Sequence, residues 1–142
     1  MVVLDTDHIT LLERNDSPAS RRLLARLDSL KADDIAPTIV SYEEQTRGWL
    51  AYLAKAATLT AQINAYTRLK THLRNYCRIS VLDFDDNAAV EYDRLRSARV
   101  RIGTMDLRIA AIVLANDATL LSRNIGDFRR VPDLEVDDWT VS

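Results

Sequence analysis

GTMDLRIAAIVLANDATLLSRNIGDF, residues 103–128, sets the architecture. Gly103-Thr104 opens a helix that runs from Leu107 to Asn116, with Ile109, Ile112 and Val113 at helical spacing. Thr119 to Ser122 follows as a short strand. A helix that feeds a short apolar strand through a few residues is part of a βαβ unit, which implies a parallel sheet with helices on both faces.

The rest of the chain repeats that alternation. Val2-Val3-Leu4 is a strand ending at Asp5, and Thr6 and Asp7 offer cap oxygens to a helix through Leu12. Ser17-Pro18 reads as N-cap and first residue of a second helix, with Leu23, Leu24, Leu27 and Leu30 on its apolar face. Ile35 to Thr38 is a short strand. A long helix from Ser41 carries Trp49, Leu50 and Leu53, and another has Leu59, Ile63, Tyr66 and Leu73 on one face. Together these predict a helical hairpin at roughly 41–77. Ile79 to Phe84 reads as a further strand, Asn87 to Arg99 as a helix, and Leu134 to Val136 as a last strand. No repeat, linker or low-complexity segment interrupts the 142 residues, which suit one domain able to bury a sizeable core.

Composition removes several classes. The residues are 47% hydrophobic and 28% charged, ordinary for a globular chain and unlike a disordered one. A lone Cys77 forms no internal disulfide. The longest apolar run, Ile109 to Ala115, is too short to cross a membrane, and the N-terminus has no basic leader. A cytoplasmic protein is the expectation. A net charge of −2 argues against a wholly basic nucleic-acid binder. Yet 16 of the 19 basic residues are Arg, whose planar fork suits phosphate. The three glycines at 48, 103 and 126 form no nucleotide-binding glycine motif.

The chemistry lies at the strand ends, where open α/β sheets bind ligands. Asp5 ends the first strand, Glu44 opens the helix after the second, Asp106 sits in the first turn after Gly103, and Asp127 follows the strand at 119–122. On a parallel sheet all four meet at one rim. Two unit charges 4 Å apart repel by about 4 kcal/mol at an effective dielectric of 20. Some therefore protonate, or a cation joins them. An all-oxygen set selects Mg²⁺ or Mn²⁺, ions suited to hydrolysis of nucleic acid. Each acid also has an ordinary explanation: Asp5 as a helix cap, Glu44 as a solvated residue beside Glu43, Asp106 meeting a helix dipole, Asp127 in a turn.

VVLDTDHIT (2–10), TIVSYEEQTRG (38–48) and IGTMDLRIAAIVLANDATLLSRNIGDFRRVPDLEVDDW (102–139) carry a family likeness. The chain resembles PIN-domain ribonucleases, in particular the VapC toxins of bacterial toxin–antitoxin pairs. The resemblance implies a three-layer α/β/α fold over residues 1–142, its short central sheet mostly parallel with about 4–5 strands. It implies a Mg²⁺- or Mn²⁺-dependent endoribonuclease acting on transfer or ribosomal RNA, a VapB-like antitoxin partner, a homodimer, and no membrane. Asp5 and Asp106 would ligate the ion. Glu44, selected over Glu43 by its spacing from Ser41 and Gly48, would ligate it or orient water. Asp127 would complete the set or hold a second ion, with Asn124 and Asp7 in secondary roles. Many members of the family carry Asn where this chain has Asp7.

Arg94, Arg96, Arg99, Arg101 and Arg108 cluster ahead of and within the Asp106 helix, placed to track an RNA backbone. For any one of them a solvated helix face pairing with Glu91 or Asp93 is the plainer reading. His8 reads as a polar helix residue, His72 as a surface residue, Cys77 as a small packing residue, and Trp49 with Tyr52 as packing between the long helices. Two other functions fit parts of the pattern. Asp5-Thr6-Asp7 with Asp127 and Asp133 resembles a phosphatase of the haloacid-dehalogenase type, which also needs a lysine from Lys31, Lys55 or Lys70. A non-catalytic RNA- or partner-binding domain is the other.

Overall fold

Three consecutive apolar residues, Val2–Leu4, are buried on both faces, as a central strand of a parallel sheet requires. The computed structural model describes residues 1–141. In chain order it forms β1 (Val2–Leu4), α1 (Thr6–Arg14), α2 (Pro18–Leu27), a 3₁₀ turn (Ala32–Asp34), β2 (Ile35–Ala36), α3 (Ile39–Ala54) and α4 (Leu59–Cys77). Then come α5 (Asp86–Ser97), α6 (Thr104–Ala115), β3 (Thr119–Leu121), α7 (Ile125–Phe128) and β4 (Glu135–Asp137). Among the described residues the sheet has four strands in the order β2-β1-β3-β4, all parallel. Val2 pairs with Ile35 and Thr119, and Leu121 with both Leu4 and Asp137.

Alternation along the strands divides the core. Val3 and Leu120 pack with Leu95, Leu107, Ile109, Ile112 and Phe128 of α5, α6 and α7. Val2, Leu4 and Leu121 pack with Ile9, Leu23 and Leu27 of α1 and α2. The result is the expected α/β/α layering. The helices start where the sequence marks them. Asp5, Ser17, Thr38, Thr58 and Asp85 each cap one with a side-chain oxygen, a contact worth about 1 kcal/mol. The C-terminal segment closes over α1 and α2: the Arg22 Nε donates to the Thr140 carbonyl at 2.7 Å, and the Arg26 guanidinium lies 4.5 Å from the Trp139 ring.

Four expectations need correction. Residues 79–84 form no strand; Leu82 makes a single bridge with Thr38. Pro37 has no N–H to extend that ladder, and Asp83 and Asp85 follow at once. The aliphatic face of α4 is not the hairpin seam: Leu59 is 78% and Ile63 68% exposed, and Tyr66 and Leu73 are exposed too. Ala65, His72 and Tyr76 face inward instead. The seam is aromatic and polar, with His72 stacked 5.0 Å from Tyr42, and Tyr76 edge-on to both. His72 is thus buried, and Cys77 is exposed.

Burial holds the His72 pKa below its ordinary 6.5, with Glu13 opposing weakly. The unfolded chain therefore takes up the proton more readily. The stability from neutral His72 is complete above pH 6.5 and is lost as pH falls below it. His72→Phe keeps a stacked ring that cannot titrate. In urea melts at pH 8 and pH 5, wild type should lose stability relative to that variant at the lower pH; parallel curves would remove His72 as a titrating site.

Candidate active site

Asp5 follows β1 directly, and its N–H still reaches the Leu121 carbonyl of β3 at 2.9 Å. The sheet thus fixes its backbone. One carboxylate oxygen caps the Thr6 N–H at 2.8 Å, and the other accepts from the Ser122 hydroxyl at 2.6 Å. With the residue 6% exposed, burial pushes its pKa up to about 7, and the charges of Asp7 and Asp106 add to the rise. The bonds from Ser122 and Thr6 oppose it.

Glu44 lies one turn into α3. The Thr6 hydroxyl is 2.9 Å from Glu44 Oε1 and 3.0 Å from Ser41 Oγ. Having one proton, Thr6 gives it to the carboxylate and accepts from Ser41. Burial raises the Glu44 pKa, Thr6 lowers it, and the charges of Asp106 and Glu43 raise it further. Glu43 itself turns to Arg47 in an ion pair.

Asp106 stands in the first turn of α6, and Asp127 in α7. The Asn124 amide bridges them, at 3.4 Å from Asp106 and 3.1 Å from Asp127. Burial raises the Asp106 pKa, with Asp127 and Asp7 adding to it. Thr6 thus links Asp5 with Glu44, Asn124 links Asp106 with Asp127, and the charge of Asp106 acts on both members of the first pair. Among the described residues, no three His, Cys, Asp or Glu side chains converge as a ready metal-holding group. The donors on this rim are nevertheless all oxygen or amide, and Asp5, Glu44 and Asp106 are pushed up by burial and by neighbouring carboxylates. That chemistry fits a hard divalent cation and does not fit a thiolate- or imidazole-preferring one.

Asp7 borders the rim, one oxygen 3.4 Å from the Ser122 hydroxyl that holds Asp5. Its carboxylate contacts His8 Nδ1 at 2.7 Å and accepts the Arg123 N–H at 3.0 Å. His8, expected as a polar helix residue, is fully buried, and its Nε2 accepts the Trp139 N–H at 3.3 Å. His8 thus ties α1 to the C-terminal segment. With Asp7 so engaged and Lys31, Lys55 and Lys70 exposed on other elements, the phosphatase arrangement is not assembled.

Sequence reasoning missed two residues. Ser122 holds Asp5, accepts the Asn124 N–H at 3.0 Å, and is fully buried. Its signal was available: it follows β3 as Asp5 follows β1. Thr6 reads from sequence as a cap, yet as the first residue of α1 it meets Ser41 and Glu44 of α3 with its hydroxyl.

The arginines make separate contacts within the chain. Arg94 is held by Glu91 at 2.6 Å. Arg96 and Arg108 approach the same Tyr92 ring, at 5.6 and 5.9 Å. Arg99 occupies a left-handed turn after α5, and the Arg101 carbonyl accepts from Arg130.

A family model described as PIN domain matches residues 2–134. Ribonuclease VapC2 of Rickettsia felis is 35% identical over 66 residues, 44% of this chain and 49% of that protein. The match therefore spans about half the length of that relative. Ribonuclease VapC1 of Haemophilus influenzae strain R2866 is 26% identical over 142 residues, 97% of each chain. Among solved structures, VapBC-1 from nontypeable Haemophilus influenzae aligns with a TM-score of 0.73 at 24% identity, over 99% of this chain and 100% of that one. That likeness concerns the fold.

Proposed function

The chain belongs to the PIN-domain family, and on that premise we propose that it is a metal-dependent endoribonuclease acting as the toxin of a toxin–antitoxin pair. The observation that carries this reading is the rim itself. Asp5, Glu44, Asp106 and Asp127 come from four separate elements to the carboxyl edge of one parallel sheet, and three are held above their ordinary pKa. Two ribonucleases among the relatives point the same way.

In this reading Asp5 and Asp106 would hold a Mg²⁺ or Mn²⁺ ion, Asp127 would complete the set or hold a second ion, and Glu44 would ligate it or orient the attacking water. A bound cation supplies charge neutralisation at the scissile phosphodiester and acidifies water. The protein's own side chains position the parts. Ser122 fixes Asp5. Thr6 occupies one oxygen of Glu44 and leaves Oε2 to accept a proton from water, a role its raised pKa suits. Asn124 keeps Asp106 and Asp127 together despite their repulsion.

The reading extends to the whole chain: one domain over residues 1–142, a cytoplasmic location, RNA of the transfer or ribosomal class as substrate, and a VapB-like antitoxin. Arg94, Arg96, Arg99, Arg101 and Arg108 are candidate backbone contacts for RNA. The exposed apolar face of α4, Leu59, Ile63, Tyr66 and Leu73, is the kind of surface that a homodimer or an antitoxin covers.

The test is cleavage of a labelled transfer RNA pool by wild type and Asp106→Asn, with Mg²⁺, with Mn²⁺ and with EDTA. Discrete cuts are expected from wild type with a cation, and none from the variant or with EDTA. Cation-independent cuts, or turnover of p-nitrophenyl phosphate without RNA cleavage, would overturn the reading.

A further inference from the structure

A recess of about 660 Å³ opens between α1, α3 and α4. Both α1 and α3 lead into it from the acidic rim. Thr10 lies one turn beyond Thr6 and Gly48 one turn beyond Glu44, a rise of about 5–6 Å along each helix. The recess therefore begins at the reach of a nucleotide next to the one being cut.

Its walls have specific chemistry. Trp49 and Tyr52 meet edge to face at 5.9 Å, and the Arg68 guanidinium lies 5.7 Å from the Trp49 ring. Aromatic rings combined with arginine planes are the platform on which unstacked RNA bases sit. Arg14 lines the same space and adds a second cation.

Opposite the rings, Glu13 is held in one orientation. Its two oxygens accept from the Gln45 amide at 2.7 Å and the Asn75 amide at 3.1 Å. Gln45 is fixed in turn by the Tyr76 hydroxyl at 2.7 Å. Each Glu13 oxygen retains a lone pair, which suits an exocyclic amino group on a base edge.

Two further features point to a ligand. His72, 2% exposed, lines the recess; its Nε2 bonds Thr46 at 2.8 Å, while Nδ1 has no hydrogen-bond partner among the described residues. A buried polar atom left so is costly, which marks this wall as one whose hydrogen bonding the chain alone does not complete. Gly48 sits inside α3, where glycine weakens a helix. Its backbone is ordinary, and nothing lies within 4 Å of where a Cβ would stand. No neighbour in the chain needs that room.

We propose that the recess lined by Trp49, Tyr52, Arg68, Glu13 and His72 is a subsite for one unstacked RNA nucleotide flanking the cut, its base against the rings and its amino-bearing edge at Glu13. The inference rests on the ribonuclease reading for its substrate class. Two arginines against one carboxylate, with a stacking platform, favour a nucleotide over a peptide, and the aliphatic surface suited to a protein lies on the outer face of α4.

The test reads binding, so it does not depend on cleavage. The full chain bearing Asp106→Asn is titrated with a fluorescein-labelled single-stranded RNA of mixed sequence and with an all-uridine RNA of equal length, followed by anisotropy. Gly48→Leu is added to fill the recess, and Arg68→Ala separately to strip the platform. Leu improves helix propensity at position 48, so a thermal melt should show an unchanged or higher midpoint. Mixed-sequence affinity should fall about tenfold or more in both variants, and the all-uridine RNA, lacking amino groups, should bind more weakly than the mixed one. Unchanged RNA affinity in a well-folded Gly48→Leu protein would overturn the subsite; if self-association in sedimentation shifts instead, the recess is a protein contact. Absence of RNA binding by the parent would overturn it as well. Lost affinity in the variants of a protein that never cuts RNA would keep the subsite and discard the nuclease.

Discussion

Asp5→Asn is expected to lower RNA cleavage by about 10³-fold or more, while the metal-free variant is at least as stable as wild type. The first half follows from removing one negative donor from the proposed cation set, a loss of several kcal/mol of transition-state stabilisation. The second half separates function from fold. Asn is as good an N-cap as Asp, so the contact with the Thr6 N–H is kept. The amide NH₂ then faces the Ser122 oxygen, which accepts from it while the hydroxyl proton turns to Asp7, 3.4 Å away. What disappears is a buried charge.

The sign can be worked through. The Asp5 pKa is raised from 3.8 to about 7, so the folded chain holds the proton more tightly than the unfolded one. In chelator, that contribution to wild-type stability is complete below pH 3.8 and is lost as pH rises through about 7. The full span corresponds to about 4 kcal/mol as a ceiling. At pH 8 in EDTA the Asn variant should therefore melt higher than wild type, with the gap closing toward pH 4. Retained cleavage would remove Asp5 from the chemistry. A variant that melts well below wild type at every pH would make Asp5 a structural cap first.

The fold was legible where local signals agree with burial. Val2-Val3-Leu4 is short, apolar and followed by a capping residue, and it is a central strand. Ser17-Pro18 announces α2 and its capping box is formed. The helix from Gly103 and the strand after it lie where the apolar spacing puts them. Legibility failed where the partner surface, rather than the segment itself, decides the outcome. Residues 79–84 have strand-like composition, but Pro37 lacks the N–H that would carry the ladder past the single Thr38–Leu82 bridge. On α4 the aliphatic stripe is the stronger periodic signal, yet α3 offers Tyr42 and Thr46, which match His72 and Tyr76 better than they match Leu59 or Ile63.

The rim divides the same way. Each carboxylate stands next to a strand or helix start, so its place could be read from the order of elements. The links between them could not. Thr6 to Glu44 spans 38 positions and Ser122 to Asp5 spans 117, and no local pattern encodes such pairs. The burial of His8 is hidden from sequence for a related reason: the returning C-terminal segment supplies the Trp139 N–H to its ring.

Phe128→Ala should cost about 3–5 kcal/mol, the usual range for emptying a buried aromatic site. For a chain of this size that lowers the melting midpoint by roughly 10 °C or more. Phe128 is fully buried in the cluster with Ile109, Leu120 and Val131. Its second effect concerns the rim. α7 has only four residues, too few to be stable by their own hydrogen bonds. Its position comes from the Phe128 ring, and Asp127 is the preceding residue. Asn124, which bridges Asp127 to Asp106, accepts the Phe128 N–H at its carbonyl. Emptying the core site therefore loosens both Asp127 and its bridge. Cleavage at 20 °C should fall further than the unfolded fraction accounts for, as judged by a parallel urea melt. Phe128→Leu, which refills most of the volume, should recover both stability and cleavage. Recovery of stability without recovery of cleavage would mean that the ring sets the Asp127 position by its shape; an Ala variant with full activity per folded molecule would mean that α7 is held by something other than Phe128.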